Sequence, residues 1–332
     1  MSRILVIRLS SIGDIVLTTP VIRCLKKQIK DAEIHFLTKH SYSDVLANSP
    51  YIDNTYYWQD NSNEIIRQLK ANHYDYIIDL HKNLRTWKIK SSLRVKSFTF
   101  NKLNVEKWLL VNFKINKLPH KHIVDRYFDA IQPLGVVNDG QGLDFFINPL
   151  DEIDVATYLP QHFQSGYSAL VIGARHATKQ LPLSKLEEVC KQVSHPLVVL
   201  GGAEDRETGD ILEKHFHDKV FNACGKTSIG QSASLIRQSR AVITHDTGLM
   251  HIAAALRKKI ISVWGNTVPE FGMYPYLPKG STPFSIVEIK NLYCRPCSKI
   301  GYNKCPKKHF RCMMEIDPHI IADLESKYYN LP

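Results

Sequence analysis

The chain has 332 residues, a length that favours two domains over one. Of these residues 44% are hydrophobic and 23% charged, which is typical of a globular protein. Its apolar runs, such as those at 253–256 and 260–264, are far shorter than the roughly 20 residues that cross a bilayer, and the first residues lack a signal-peptide pattern. We therefore expect a cytoplasmic protein. Seven cysteines without a secretion signal predict reduced thiols or a metal site rather than a disulfide framework.

The net charge of +11 is concentrated in two segments. Between Lys82 and Lys121 there are eleven basic residues and one acidic residue, Glu106. Between Lys290 and Arg311 there are seven basic residues and no acidic one. Aromatic residues, including Trp87 and Trp108, are interleaved in the first segment, which indicates a nucleic acid, a phosphorylated lipid or an acidic membrane surface as partner. A solvated basic face is the simpler alternative.

Along the first half of the chain, short apolar runs alternate with amphipathic stretches. Strands are predicted at 4–9, 33–38 and 74–80, and helices at 14–30 and 42–48, before a basic helical stretch. This alternation is typical of parallel strands joined by right-handed helical crossovers.

The same alternation restarts after an irregular region that ends at Gly166. Strands are predicted at 169–173, 197–201, 241–244 and 260–264, and helices at 184–193, 205–216, 248–256 and 318–329. We therefore expect two Rossmann-like α/β domains, at residues 1–160 and 161–315. The last helix, in 316–332, could pack back on the first domain.

Parallel sheets place ligand-binding loops at the carboxyl ends of their strands. The loop after the first strand, 10–14, places Asp14 in the first turn of a helix, where a carboxylate either caps the helix or accepts a proton from a sugar hydroxyl. No Gly-x-Gly-x-x-Gly motif is present at this turn, which argues against a nicotinamide dehydrogenase.

Three loops of the second half, each directly after a strand, carry candidate ligand-binding residues. Residues 244–251 end a strand in Asp-Thr-Gly and begin a helix, so the backbone N–H groups of Thr247 and Gly248 are expected to face a diphosphate, with His251 one turn away. The loop 173–182 supplies Lys179, aided by Thr178 or Arg175, as a cationic contact. Loop 201–205 offers Glu204 to ribose hydroxyls.

Several motifs in this order resemble one family. RLSSIGDIVLTTPVIRCLK, KQLP, LGGAEDRE, THDTGLMHIAAAL and VWGNTVPE, from Arg3 to about Met314, are similar to the bacterial heptosyltransferases of glycosyltransferase family 9. The resemblance implies the GT-B arrangement of two Rossmann-like domains with parallel sheets facing a central cleft. It also implies inverting, metal-independent transfer of a heptose from ADP-heptose to the lipopolysaccharide inner core (lipid A-Kdo or a core heptose).

The resemblance also implies residue roles. Asp14 becomes the general base, and the donor is bound by Thr178, Lys179, Glu204, Asp246, Thr247, Gly248 and His251. The acceptor candidates are Ser11, Gly13, His81 and Arg85. The basic segment 82–121 then predicts peripheral attachment to the anionic inner face of the cytoplasmic membrane, with no nucleic acid as partner.

Metal binding has two separate aspects. No Asp-x-Asp pair occurs in the sequence, so a carboxylate-held divalent ion has no obvious site and no cofactor is expected. Four thiols, accompanied by His309, leave a structural Zn²⁺ and reduced cysteines both open, and we assign no metal. These thiols are Cys294, Cys297, Cys305 and Cys312.

Two further alternatives remain open from the sequence. The chain could use another nucleotide-sugar donor or another glycan acceptor. It could also be an α/β protein without activity that binds an anionic ligand or nucleic acid.

Overall fold

The computed structural model describes residues 2–59, 62–278 and 280–331, which form two compact units. The first unit consists of Met1–Leu103 and Lys121–Phe146, and the second of Asn104–His120 and Ile147–Pro332. Among the described residues, no helix combines the length and apolar character needed to span a membrane.

Each unit is built on one parallel sheet. The strands of the first sheet are β1 (Ser2–Ile7), β2 (Ala32–Lys39), β3 (Asn54–Trp58), β4 (Tyr76–Asp79) and β5 (Lys96–Thr99). The strands of the second sheet are β6 (Ser168–Val171), β7 (Leu197–Leu200), β8 (Val220–Asn222), β9 (Val242–His245), β10 (Ile260–Trp264) and β11 (Phe284–Glu288). Their spatial orders are β3-β2-β1-β4-β5 and β11-β10-β9-β6-β7-β8.

Helices connect the strands in both units. Those before the second sheet are α1 (Ile12–Val16), α2 (Thr19–Gln28), α3 (Ser62–Lys70), α4 (Leu84–Leu93), α5 (Asn104–Phe113), α6 (Ile123–Ile131) and α7 (Val155–Tyr158). Those that follow β6 are α8 (Leu183–Gln192), α9 (Arg206–His215), α10 (Ile229–Gln238), α11 (Gly248–Ala255), α12 (Arg311–Met314) and α13 (Pro318–Asn330).

The central strands are apolar because helices cover both faces of a parallel sheet. Residues 4–7 of β1 are fully buried, and so are all five residues of β10. The predicted helix at 14–30 is interrupted in the structure. The Thr18 and Thr19 hydroxyls donate to the carbonyls of Ile15 and Val16 at 2.7 Å, and Pro20 has no N–H to donate, so α2 starts separately.

The chain returns to the first unit after residue 120. Helix α6 packs on α2. The buried guanidinium of Arg23 on α2 pairs with the carboxylates of Asp139, at 2.8 Å, and Asp144. These bonds secure the segment 139–144 to the first unit.

The second unit begins earlier than the boundary expected at residue 160. Asp151 accepts a hydrogen bond from the Ser228 hydroxyl at 2.8 Å, and the N–H of Ile153 donates to the Ser234 hydroxyl at 3.0 Å. Because both serines belong to the N-cap and body of α10, the segment from Ile147 joins the second unit.

The last helix also belongs to the second unit, whereas the sequence allowed it to pack on the first domain. Helix α13 contacts α8 and strands β9, β10 and β11. Its buried Glu325 accepts a hydrogen bond from Ser168 and pairs with His195 at 3.0 Å, and Tyr328 bonds Ser285 at 2.7 Å. These polar contacts align the helix on the sheet.

Candidate active site

In the second unit, two of the loops predicted to carry chemistry follow the neighbouring strands at which the strand order of the sheet reverses. The chain runs outward from β6 to β8, returns to β9 beside β6, and then continues to β11. At such a reversal, parallel α/β sheets bind ligands in the crevice between the loops that follow the two neighbouring strands, here β6 and β9. Lys179 lies in the first of these loops and Asp246 in the second.

An ion pair joins the two loops across this crevice. The Lys179 ammonium lies 2.5 Å from Oδ2 of Asp246 and 3.4 Å from its carbonyl oxygen. The Thr267 hydroxyl, from the loop after β10, donates to the same carboxylate oxygen at 2.9 Å. Both side chains of the ion pair are largely buried, so the pair is screened only weakly by solvent.

Thr178, the predicted helper of Lys179, is buried and its hydroxyl is engaged elsewhere. Oγ1 of Thr178 donates to the carbonyl of Tyr302 at 3.0 Å and accepts from the Tyr302 N–H at 2.8 Å. The Thr178 N–H donates to the same carbonyl at 3.1 Å. Thr178 therefore joins the loop that carries Lys179 to the cysteine-containing segment, and positions Lys179 by doing so.

The loop after β7 separates a structural carboxylate from an exposed one. Asp205 is buried and accepts hydrogen bonds from the Gly202 N–H at 2.8 Å and from Gln180 at 3.2 Å. A Cβ at Gly201 would lie 2.7 Å from the Asp205 Cβ, so only glycine permits this approach. Glu204, predicted for ribose hydroxyls, is left exposed to solvent.

Helix α11 begins at Gly248, directly after Asp246 and Thr247. Its first N–H groups have no partner within the helix, and they carry the positive end of the helix dipole. Thr247 and Gly248 are partly exposed, whereas His251 is buried in the helix. The predicted diphosphate donors are thus accessible at the same edge as Lys179.

Two residues near this edge were not singled out from the sequence. Asn266, 1% exposed, has no hydrogen-bond partner on either side-chain amide atom among the described residues. Arg295 donates to the carbonyls of Gly265 at 2.5 Å and Thr267 at 2.8 Å, and pairs with Glu288 at 2.6 Å. Asn266 and Thr267 belong to the motif VWGNTVPE, which contributed to the family resemblance. The motif alone did not predict a role for either residue.

The first sheet has an equivalent reversal, between β1 and β4. Asp14, in the first turn of α1, pairs through Oδ1 with the Arg8 guanidinium at 2.6 Å. Its Oδ2 accepts from the Ser11 hydroxyl at 2.8 Å and the Ser11 N–H at 3.2 Å. Arg8 is itself fixed by the carbonyls of Ser10, at 2.8 Å, and Leu80. The loop after β1 is thereby bound to the end of β4.

Opposing effects set the charge of Asp14. Burial acts to raise the pKa of its carboxyl, but the Arg8 charge and the hydrogen bonds from Ser11 and Arg8 outweigh burial and hold the pKa below its usual value of 3.8. Asp14 is therefore ionised at neutral pH. Ser11 and Gly13 were both predicted to bind the acceptor substrate. The Ser11 hydroxyl and N–H both donate to Asp14, and Gly13 is buried inside α1.

The end of β4 carries the other acceptor candidates. Asp79 is fully buried and accepts from the N–H groups of His81, at 3.0 Å, and Lys82, at 2.7 Å. Burial, with the charges of Arg8 and Lys102, lowers the pKa of His81 to about 4, so its imidazole is neutral at pH 7. Arg85 is exposed in the first turn of α4.

A cavity of about 530 Å³ opens beside this strand end, in the first unit. Its walls include Asp79, Lys82, Leu84 and Trp87. A larger cavity of about 770 Å³ lies at the opposite edge of the second sheet, beside Tyr167 and Lys259, which precede β6 and β10. We assign the chemistry to the carboxyl edges, because the ion pairs described above lie there and parallel sheets bind ligands there.

The basic segment 82–121 is not a single charged surface. Lys90 pairs with buried Asp79 at 2.8 Å and Lys121 with Asp129 at 2.5 Å. The structure also divides the segment between the units after Leu103.

The cysteines of segment 294–312 are free thiols, and Cys294 lies 3.8 Å from Nε2 of His309. Among residues 2–59, 62–278 and 280–331, no three Cys, His, Asp or Glu side chains form a group able to hold a metal ion.

Comparison with known proteins places this arrangement in context. The model of glycosyltransferase family 9 (heptosyltransferase) matches residues 63–302. Lipopolysaccharide heptosyltransferase 1 of Campylobacter coli is 24% identical over 300 residues, which cover 80% of this chain and 84% of the relative.

Solved structures are similar over nearly the whole chain. E. coli ADP-heptose lps heptosyltransferase II has a TM-score of 0.74 at 18% identity, with coverage of 99% of this chain and 98% of that chain. The family 9 glycosyl transferase of Veillonella parvula has a TM-score of 0.77 at 20% identity, with coverage of 99% and 97%. These matches confirm the predicted GT-B class with two parallel-sheet α/β domains.

Proposed function

Because the chain belongs to glycosyltransferase family 9, the heptosyltransferase family, we propose that this glycosyltransferase moves a heptose from ADP-heptose to the lipopolysaccharide inner core. The observation that carries the donor half of the proposal is the position of Lys179 beside the amino end of α11, at the strand-order reversal of the second sheet. A nucleoside diphosphate is the ligand class that such a crevice and helix end favour. The names of the relatives support heptose as the sugar.

In the donor complex, we expect the diphosphate to accept hydrogen bonds from the Thr247 and Gly248 N–H groups and from Lys179. The ammonium then shares its charge between Asp246 and the leaving phosphate. We expect exposed Glu204 to accept hydrogen bonds from the ribose hydroxyls and Asp246 to contact sugar hydroxyls. His251, one turn into α11, is the remaining donor-binding candidate. Cationic and dipolar groups of the protein supply the stabilisation of the leaving group, so transfer is expected without a divalent ion.

The proposed reaction is a single displacement with inversion. Asp14 takes the proton from an acceptor hydroxyl while that oxygen forms a bond to the anomeric carbon of the heptose. The bond from the anomeric carbon to the phosphate oxygen breaks, and its electron pair leaves with ADP. Because its pKa is low, Asp14 takes the proton only as bond formation makes the hydroxyl acidic, so proton transfer accompanies attack.

The acceptor half of the proposal rests on the first unit. A carboxylate has about four acceptor positions, and the bonds to Arg8 and Ser11 occupy three of those on Asp14, which leaves one on Oδ1 for the incoming hydroxyl. Neutral His81 and exposed Arg85 lie at the neighbouring strand end, suited to a hydroxyl and an acidic group respectively. Because this acceptor is anchored in an anionic membrane, we propose peripheral attachment of the enzyme.

The test is donor selection followed by turnover. We expect ADP-heptose and ADP to raise the melting temperature of the protein, and UDP and UDP-sugars to leave it unchanged. Release of ADP should require a lipid A-Kdo or core-heptose acceptor and should persist in EDTA. Stabilisation by UDP-sugars alone would mean that the donor is a UDP-sugar and not ADP-heptose. Donor binding without turnover on any core acceptor would refute the proposed reaction.

A further inference from the structure

Two basic segments that are almost 200 residues apart in sequence lie side by side in the second unit. The carbonyl of Asn104, the first residue of α5, accepts a hydrogen bond from Lys299 at 3.3 Å. Just past the other end of the helix, Lys114 donates to the carbonyls of Pro296, at 2.7 Å, and Cys294, at 3.4 Å. Segment 294–299 therefore runs alongside the whole of α5, which is about 15 Å long.

Helix α5 buries one side and exposes a mainly apolar stripe on the other. Leu110 is buried, whereas Trp108 and Phe113 are 49% and 58% exposed, and their rings contact each other at 5.1 Å. Val105 and Trp108 are three residues apart and so share a helix face. The apolar side chains exposed on α5 and on the adjoining segment are Val105, Trp108, Phe113, Ile115, Tyr293, Ile300 and Tyr302.

Exposed lysines lie in the same two segments as these apolar side chains. Both arginines of segment 290–311 are paired with carboxylates: Arg295 with Glu288 at 2.6 Å and Arg311 with Glu315 at 2.5 Å. The exposed lysines of residues 104–117 and 293–308 are Lys114, Lys117, Lys299, Lys304, Lys307 and Lys308, of which Lys114 and Lys299 donate to backbone carbonyls. We call residues 104–117 together with 293–308 the lysine-aromatic surface.

We propose that the lysine-aromatic surface binds the acidic phospholipid surface of a bilayer. Tryptophan and tyrosine favour the boundary between acyl chains and headgroups, and lysines beside them favour anionic headgroups. The aliphatic Val105, Ile115 and Ile300 gain by burial among acyl chains, but they offer a nucleic acid strand no stacking platform. A bilayer therefore accounts for both the charge and the aliphatic side chains of this surface.

This inference rests on the proposed function only in placing the enzyme at a membrane, and it is tested without turnover. Vesicles of phosphatidylglycerol and phosphatidylethanolamine should sediment the 332-residue protein at low salt, and phosphatidylcholine vesicles should not. Each lysine near an acidic surface is worth about fivefold in affinity, so the triple substitution Lys304→Gln, Lys307→Gln and Lys308→Gln should weaken binding roughly 100-fold. The matched control replaces the exposed Lys70, Lys191 and Lys214 by Gln and should change binding little.

A second variant pair separates the apolar contribution from the charge. Trp108→Ala with Phe113→Ala should weaken binding at least about tenfold while the salt dependence stays the same. Leu150→Ala removes an exposed leucine outside the surface and should have no effect. Circular dichroism melting checks that each variant is folded.

Several results would overturn the inference. These are equal binding to neutral vesicles, undiminished binding by the triple lysine variant, or tight binding of a single-stranded RNA in place of vesicles. Transfer to a water-soluble, deacylated acceptor gives an independent readout of the enzyme. Turnover without vesicle binding refutes membrane binding by this surface but not the proposed function. Vesicle binding without turnover refutes the proposed function but not membrane binding by this surface.

Discussion

The Arg8 guanidinium and the Asp14 carboxylate form a 2.6 Å ion pair that connects the end of β1 to the first turn of α1. Arg8 also donates to the carbonyl of Leu80, next to the end of β4. One buried cation thus sets both the position of the proposed base and its ionisation.

Replacing Asp14 by Asn should abolish most turnover. The amide retains the size of the side chain but cannot take a proton, so we expect kcat to fall roughly 10²–10⁴-fold. ADP-heptose affinity, measured by calorimetry, should stay the same because the proposed donor-binding residues belong to the second unit. Unchanged turnover in a correctly folded variant would remove Asp14 from the role of base.

Replacing Arg8 by Gln should shift the pH profile of kcat. Burial raises the pKa of Asp14, and Arg8 is the largest effect that opposes it, so the pKa should rise when Arg8 is removed. A carboxylate base loses activity as the pH falls through its pKa. The acid limb, which lies below the usual 3.8 in the wild type, should therefore move to higher pH, and an unshifted limb would contradict this assignment.

The same pair should show strong coupling in stability. Removing one partner leaves the other charge buried, which costs about 3–5 kcal/mol. The double variant Arg8→Gln/Asp14→Asn leaves neither charge, so urea unfolding should find it less destabilised than the sum of the single variants. Additive losses would mean that the two side chains act independently.

Lys179 and Asp246 should have opposite effects on ADP binding. Lys179→Met removes a charged donor to phosphate and should raise the Kd for ADP about 10–100-fold. Asp246→Asn frees the ammonium from its 2.5 Å partner and should lower that Kd or leave it unchanged. The exposed Lys191→Met serves as the control, and a weakened ADP complex in Asp246→Asn would show that the carboxylate itself supports the nucleotide.

His245 should make the protein less stable in mild acid. It is buried, its Nε2 accepts from the Leu181 N–H at 3.0 Å, and burial lowers its pKa from 6.5 to about 4. Between these pH values the unfolded chain binds a proton that the folded chain does not, so stability rises with pH across this interval and levels off above pH 6.5. The loss on acidification reaches about 3 kcal/mol at most.

The variant His245→Gln keeps an acceptor for the Leu181 N–H but cannot titrate. The free energy of unfolding of the variant, measured in urea from pH 4 to pH 7, should show a flatter pH dependence than the wild type. Equal slopes would place the titration on other histidines.

The central strands were predictable because burial on both faces requires continuous apolar runs. Residues 260–264 were predicted as a strand and form β10 without a change of bounds. The edge strands β3, β5, β8 and β11 were missed. Each pairs on one side only, and β3, for example, keeps all five residues at least partly exposed and therefore has the mixed sequence NTYYW.

For the candidate site, the sequence could indicate the loops but not the partners of their side chains. Lys179, Asp246 and Asp14 were selected from strand-end positions and from the resemblance to a family. The partners of these residues depend on how loops fold together. Thr267 and Arg295 contribute through contacts between separate loops, and Thr178 is engaged by Tyr302, 124 residues away.

Residues 104–120 belong to the second unit although the chain on both sides of them belongs to the first, and this has a practical consequence for hybrid enzymes. The polypeptide passes between the units at residues 103/104, 120/121 and 146/147, so no single cut separates them. A chimera of two relatives joined near residue 147 would leave α5 from one parent facing a 294–299 segment from the other. Fusions that carry residues 104–120 together with the carboxyl-terminal portion should express as folded protein more often than those with one crossover.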